Sequence, residues 1–129
     1  MKNSALVVID LQNDITINYK EIIEKVNAAI DCAVQNELWV IYIQHNNLSA
    51  GTRTFKPGTC GAELVPELNV VSDYIFTKSK SNALTSEEFA EFIREHGITE
   101  FYIAGADATA CIKSTCFNMT KSGYTVYVL

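Results

Sequence analysis

Five short apolar runs alternate along this chain with segments whose apolar residues recur at helical spacing, and no other feature restricts the fold as strongly. The runs lie at residues 5–9, 38–43, 73–77, 101–105 and 124–129. The first is a continuous stretch rich in β-branched residues that stops at Asp10. Such a run suits a strand covered on both faces, as in a parallel sheet. Between the runs, Ile22, Ile23, Val26, Ala29, Ile30 and Ala33 form a helical stripe over residues 19–36, which places Cys32 among the packing residues. Residues 86–96 read as a second helix, with a capping-box pattern in Thr85-Ser-Glu-Glu88 and Gly97 as its stop. A third helix opens at Cys111, carries Ile112, Thr115, Cys116 and Met119 near one face, and ends at Gly123. The alternation predicts a three-layer α/β fold with a mainly parallel five-stranded sheet in the Rossmann-like order 3-2-1-4-5. At 129 residues the chain is expected to form one domain spanning 1–129. The long excursion over residues 49–66, punctuated by Gly51, Pro57, Gly58, Gly61 and Pro66, takes the place of most of a helix. Loops of that length in small domains are commonly functional.

Ligands in such sheets sit beyond the carboxyl ends of the strands, near the point where strand order reverses. Asp10 follows the first run, His45 the second and Lys78 the third, and Cys111 lies just past the fourth. In the order 3-2-1-4-5, Asp10 and the Cys111 turn meet at the switch point, and Lys78 reaches across from the edge. A thiol, a carboxylate and an ammonium in one crevice form a chemical unit: the carboxylate takes the thiol proton, and the lysine holds the carboxylate and stabilises the thiolate. Taken one at a time, each has a plainer use. Asp10 suits a turn cap, Lys78 a solvated charge, and Cys111 a packed thiol. As a nucleophile at a helix N-terminus, Cys111 is expected to have a depressed pKa, with Thr109 or Asp107 capping the first turn.

Composition narrows the partners. Ten basic against 15 acidic residues, net −5, leave no basic patch for phosphates, so nucleic acid is not expected. The opening apolar run is cut off at Asp10, too early for a signal peptide or a membrane span, and a cytoplasmic protein is expected. Cys32, Cys60, Cys111 and Cys116 show no paired metal-ligand spacing, and Cys111 and Cys116, five apart on one helix, cannot bridge.

Four ordered stretches, Val8-Ile-Asp-Leu-Gln-Asn-Asp14, Pro57-Gly-Thr-Cys-Gly-Ala-Glu-Leu-Val-Pro-Glu-Leu68, Lys78 with Asn82-Ala-Leu84, and Ala104-Gly105 with Cys111-Ile112, resemble the motifs of the isochorismatase-like cysteine hydrolases, the superfamily that includes nicotinamidases and other amidohydrolases. The resemblance implies Asp10 as base, Lys78 as its partner and Cys111 as nucleophile. It also implies an oxyanion hole of the Asp107 and Cys111 backbone N–H groups, with a cis bond between Ala106 and Asp107. The expected substrate is a small carboxamide or related C–N compound cleaved through a thioester, and Gln12, His45 and Asn46 are the candidate substrate contacts. The alternative is a family member that keeps the site residues without useful turnover and acts as a binding or assembly module. The chain departs from the family pattern at Ala108 and Thr109, where threonine and aspartate are usual, and at Cys60, where tryptophan is common. Where the nicotinamidase branch has a metal-binding Asp-x-His, this chain has Gln44-His-Asn-Asn47, so neither metal nor other cofactor is expected. The proteins it resembles continue past the fifth strand into a further strand and helix, so the 124–129 run is expected to present an open apolar edge, either in a natural short form or in a fragment lacking those elements, and since such relatives commonly assemble, a homo-oligomer is expected.

Overall fold

The computed structural model describes residues 3–14, 20–52, 54–105 and 111–129. Strand β1 (Ser4–Ile9) is followed by helix α1 (Lys20–Gln35), β2 (Trp39–His45), β3 (Ile75–Lys78), α2 (Glu87–Glu95), β4 (Glu100–Gly105), α3 (Cys111–Lys121) and β5 (Thr125–Val128). All five strands are parallel, in the predicted order β3-β2-β1-β4-β5. The period-two alternation of β1 divides the core. Ala5, Val7 and Ile9 pack with Phe89 and Ile93 of α2 and Ile112 and Met119 of α3, whereas Leu6 and Val8 pack with Ile23, Val26, Ile30 and Ala33 of α1. One helix covers one face and two cover the other, which makes the three layers.

The ends of the elements carry the corrections that matter for the site. Strand β2 runs two residues beyond its apolar run, to His45, and β3 closes on Lys78, because Gln44 pairs with Thr77 and His45 with Lys78 in the parallel ladder. Hydrophobic patterning misses such residues because only their backbones belong to the sheet. Helix α2 is capped by Ser86, whose hydroxyl accepts from the Phe89 N–H at 3.4 Å. The capping box on Thr85 is thus one residue out of phase: Thr85 closes the preceding 3₁₀ turn, its hydroxyl donating to the Asn82 carbonyl at 2.6 Å. Cys32 does not pack. The buried face of α1 runs through Ile23, Val26, Ile30 and Ala33 and turns Cys32 to solvent. No helix among the described residues is long and apolar enough to cross a membrane.

Candidate active site

Asp10 stands where β1 ends, in the left-handed conformation (φ 59°), with its N–H bonded to the Ile43 carbonyl of β2 at 3.0 Å. The sharp turn drives its carboxylate into the protein, where it is 1% exposed. Next to it, Gly105 ends β4 at φ 136°, and a Cβ there would collide with the backbone of Ile9, its ladder partner. Only glycine lets the two central strands approach this closely at their carboxyl ends. Lys78 enters from the edge strand, passes the end of β2 and buries its ammonium completely. Cys111 is the first residue of α3 and is 8% exposed.

These three side chains converge, as the topology predicts. The Lys78 Nζ lies 3.4 Å from both Asp10 oxygens, hydrogen-bonding to Oδ2, and 3.1 Å from the Cys111 Sγ. The buried Asp10 Oδ1 carries no hydrogen bond of good geometry. The Asp10 carboxylate acts on the Cys111 thiol both as hydrogen-bond acceptor and as negative charge, the relation that a proton acceptor requires.

The Cys111 thiol does not have the depressed pKa expected of it. Burial pushes it up to about 11, the adjacent Asp10 carboxylate adds to the rise as acceptor and as negative charge, and Lys78 pulls the other way with its hydrogen bond and charge. The sequence expectation counted the helix N-terminus and the lysine and left out burial and the carboxylate, which prevail. The raised pKa favours the protonated thiol.

The candidate substrate contacts divide. Gln12 is fully buried, and its amide is spent on backbone: Oε1 accepts from the His45 N–H at 2.7 Å, and Nε2 donates to the carbonyls of His45 at 2.9 Å and Ala62 at 2.6 Å. It braces the end of β2 against the 60–62 turn. His45 is half-buried, with Nδ1 3.0 Å from Lys78 Nζ, so it joins the constellation directly. Asn46 is half-buried at the mouth, its N–H extending the ladder to the Lys78 carbonyl at 2.7 Å. Asp107, the bond joining it to Ala106, and Thr109 lie outside the described residues.

Three positioning residues escaped the sequence reading. Phe55 is buried in the long excursion and packs edge-on against His45, with centroids 5.7 Å apart. Asp14 accepts the Phe55 N–H at 2.7 Å and so pins that segment. Thr115 accepts from the Ala83 N–H at 3.0 Å and donates to the Ser81 carbonyl at 3.3 Å, tying α3 to the segment that follows Lys78. Thr115 was within reach of sequence reasoning, since it lies four residues from Cys111 on the same helical face. Phe55 sits in a loop without periodicity and gave no signal. Among the described residues no cluster of three or more His, Cys, Asp or Glu is placed to hold a metal. His96 is taken up by Trp39 and Phe92 at the opposite, amino end of the sheet, about 20 Å of strand from His45.

The isochorismatase-domain family model matches residues 4–129. The chain belongs to the isochorismatase family. An Arabidopsis thaliana protein named a probable inactive nicotinamidase is 30% identical to this family member over 148 residues, covering 95% of this chain and 76% of that one. Among solved structures, an isochorismatase family protein from Desulfovibrio vulgaris superposes with a TM-score of 0.89 at 20% identity, covering 100% of this chain and 80% of that one. The N-carbamoylsarcosine amidase of Thermoplasma acidophilum gives a TM-score of 0.85 at 22% identity, with coverages of 100% and 82%. At these identities the structural likeness establishes the isochorismatase fold. Across similar solved structures this chain spans between 65% and 82% of the other chain's length.

Proposed function

We propose that this isochorismatase-family protein is a cysteine-dependent hydrolase of a small carboxamide or related C–N bond, with Asp10 as base, Lys78 as its partner and Cys111 as nucleophile. The observation that carries the reading is the buried convergence of an unsatisfied Asp10 oxygen, the Lys78 ammonium and the Cys111 sulfur. As Sγ attacks the substrate carbonyl, its proton passes to Asp10 and the C–S bond forms. The tetrahedral intermediate collapses with cleavage of the C–N bond, and the amine leaves with the proton held by Asp10. Water then attacks the thioester, giving its proton to Asp10, and breakage of the C–S bond returns the proton to sulfur and releases the acid. The oxyanion is received by the backbone N–H of Cys111 at the α3 N-terminus, with that of Asp107 as the second donor. One such donor contributes about 3 kcal/mol to the transition state. A thiol held near pKa 11 fits this scheme, because proton transfer to Asp10 is then concerted with attack.

The name of the Arabidopsis relative favours a second reading, in which the constellation persists in a binding module without turnover. A carboxamide panel followed for ammonia, with mass detection of an acyl group on Cys111, separates the two: release that depends on Cys111 supports the hydrolase, and a silent panel with no adduct supports the module. A homo-oligomer belongs to the same reading, and sedimentation at micromolar concentration tests it: a stable monomer would count against it.

A further inference from the structure

Among the described residues three acceptors surround the Lys78 ammonium, and two of them, Asp10 and Cys111, belong to the chemistry proposed above. The third is Nδ1 of His45, which at 3.0 Å is the shortest of the three contacts. An ammonium has three protons and no lone pair, so a hydrogen bond between the two requires an unprotonated Nδ1, with the ring proton on Nε2. The ring is held for this contact from several sides. Gln12 grips both the N–H and the carbonyl of His45, the ladder sets His45 opposite Lys78, and Phe55 packs against the ring. Among the described residues the charged and titratable groups that face it are Lys78 from β3, Asp10 from the end of β1 and, beyond the ammonium, Cys111 from α3. Burial and the Lys78 charge hold the imidazole below its ordinary range, against a smaller upward pull from Asp10.

We infer that His45 is a positioning residue for Lys78: its Nδ1 takes one ammonium proton, which leaves the other two directed at Asp10 and Cys111. A lysine has a flexible four-carbon stem, and without this acceptor the buried head has one proton unsatisfied and rotamers to explore. The use of the arrangement rests on the cysteine-hydrolase reading, but the contact is testable apart from it.

The test has two arms. The chain has two histidines, so ¹⁵N NMR of the imidazoles, assigned with His96→Gln, follows His45 directly. The Nε2–H tautomer is expected, with a titration midpoint below the ordinary histidine value that rises when Lys78 is replaced by Met. A midpoint unchanged in Lys78→Met overturns the inference whatever the chemistry of Cys111. The second arm is alkylation of Cys111 by iodoacetamide across pH, resolved by peptide mass. His45→Phe should slow labelling about tenfold at fixed pH, corresponding to about one unit in the thiol midpoint. His45→Gln keeps an acceptor and should stay within about threefold of wild type. In a Lys78→Met background His45→Phe should have no further effect, since His45 acts only through the lysine. Equal slowing in both backgrounds would make His45 merely structural and overturn the inference. If Lys78→Met itself leaves labelling unchanged, the cysteine reading fails, and the NMR arm still decides the contact between His45 and Lys78.

Discussion

Replacing Lys78 with methionine probes the constellation where its energetics are steepest. The side chain keeps its approximate length and loses its charge, and the Asp10 carboxylate stays buried with its countercharge gone. At 3.4 Å, and with an effective dielectric of about 20, the lost attraction is about 5 kcal/mol. Removal of one partner from a buried pair typically costs about 3–5 kcal/mol, so urea unfolding of Lys78→Met should show a loss in that range. The double variant Asp10→Asn/Lys78→Met leaves no charge stranded and should recover part of the loss. At the sulfur, the variant removes both influences that lower the Cys111 pKa and keeps the burial and the carboxylate that raise it. The thiol midpoint should therefore rise further, so labelling at fixed pH should fall at least about tenfold. Iodoacetamide labelling with peptide mass analysis measures this directly, and Cys32 and Cys60, both exposed, serve as internal references in the same sample. In the wild type at neutral pH these two should label ahead of Cys111. A Lys78→Met protein that remains folded, loses less than about 1 kcal/mol and labels at Cys111 like wild type would refute the reasoning.

Other perturbations test neighbouring parts of the account. Gly105→Ala places a Cβ against the Ile9 backbone at φ 136° and should cost about 3 kcal/mol or more by chemical unfolding, or prevent folding outright. Thr115→Val strands the buried Ala83 N–H and should cost about 1–3 kcal/mol, read from the urea midpoint. Because the folded-state pKa of Cys111 is raised, from 9.0 to about 11, the folded protein binds more protons than the unfolded chain between those values. The stability this contributes is present below pH 9 and is lost as pH climbs through 11, so the melting temperature should fall over that window, and less steeply in Cys111→Ser.

The fold was legible because its instructions are local. A continuous five-residue apolar run, three of its residues β-branched, that stops at Asp10 reads as a central strand, and the helical stripes between the runs fit parallel crossovers on both faces. Strand order then places Asp10, Lys78 and Cys111 together, although 68 residues separate the first two along the chain. What sequence reading missed depends on packing. The charge state of Cys111 is decided by burial and by the distance to a carboxylate, neither of which has a sequence signature. The bracing of β2 by Gln12 is likewise a matter of packing: only the folded chain brings its amide to the backbone of His45 and Ala62. The cap of α2 was misplaced by one residue because Thr85 and Ser86 are both competent caps, and the preceding 3₁₀ turn claims Thr85.

The central claim, that Cys111 attacks a carbonyl and carries the acyl group, is tested most directly by rapid-quench intact-mass analysis during turnover of a carboxamide panel. The account predicts a transient adduct of acyl mass mapped to Cys111, stoichiometric release of ammonia or amine, and loss of both in Cys111→Ala. Release that continues undiminished in Cys111→Ala, with no adduct on the wild-type protein, would contradict it.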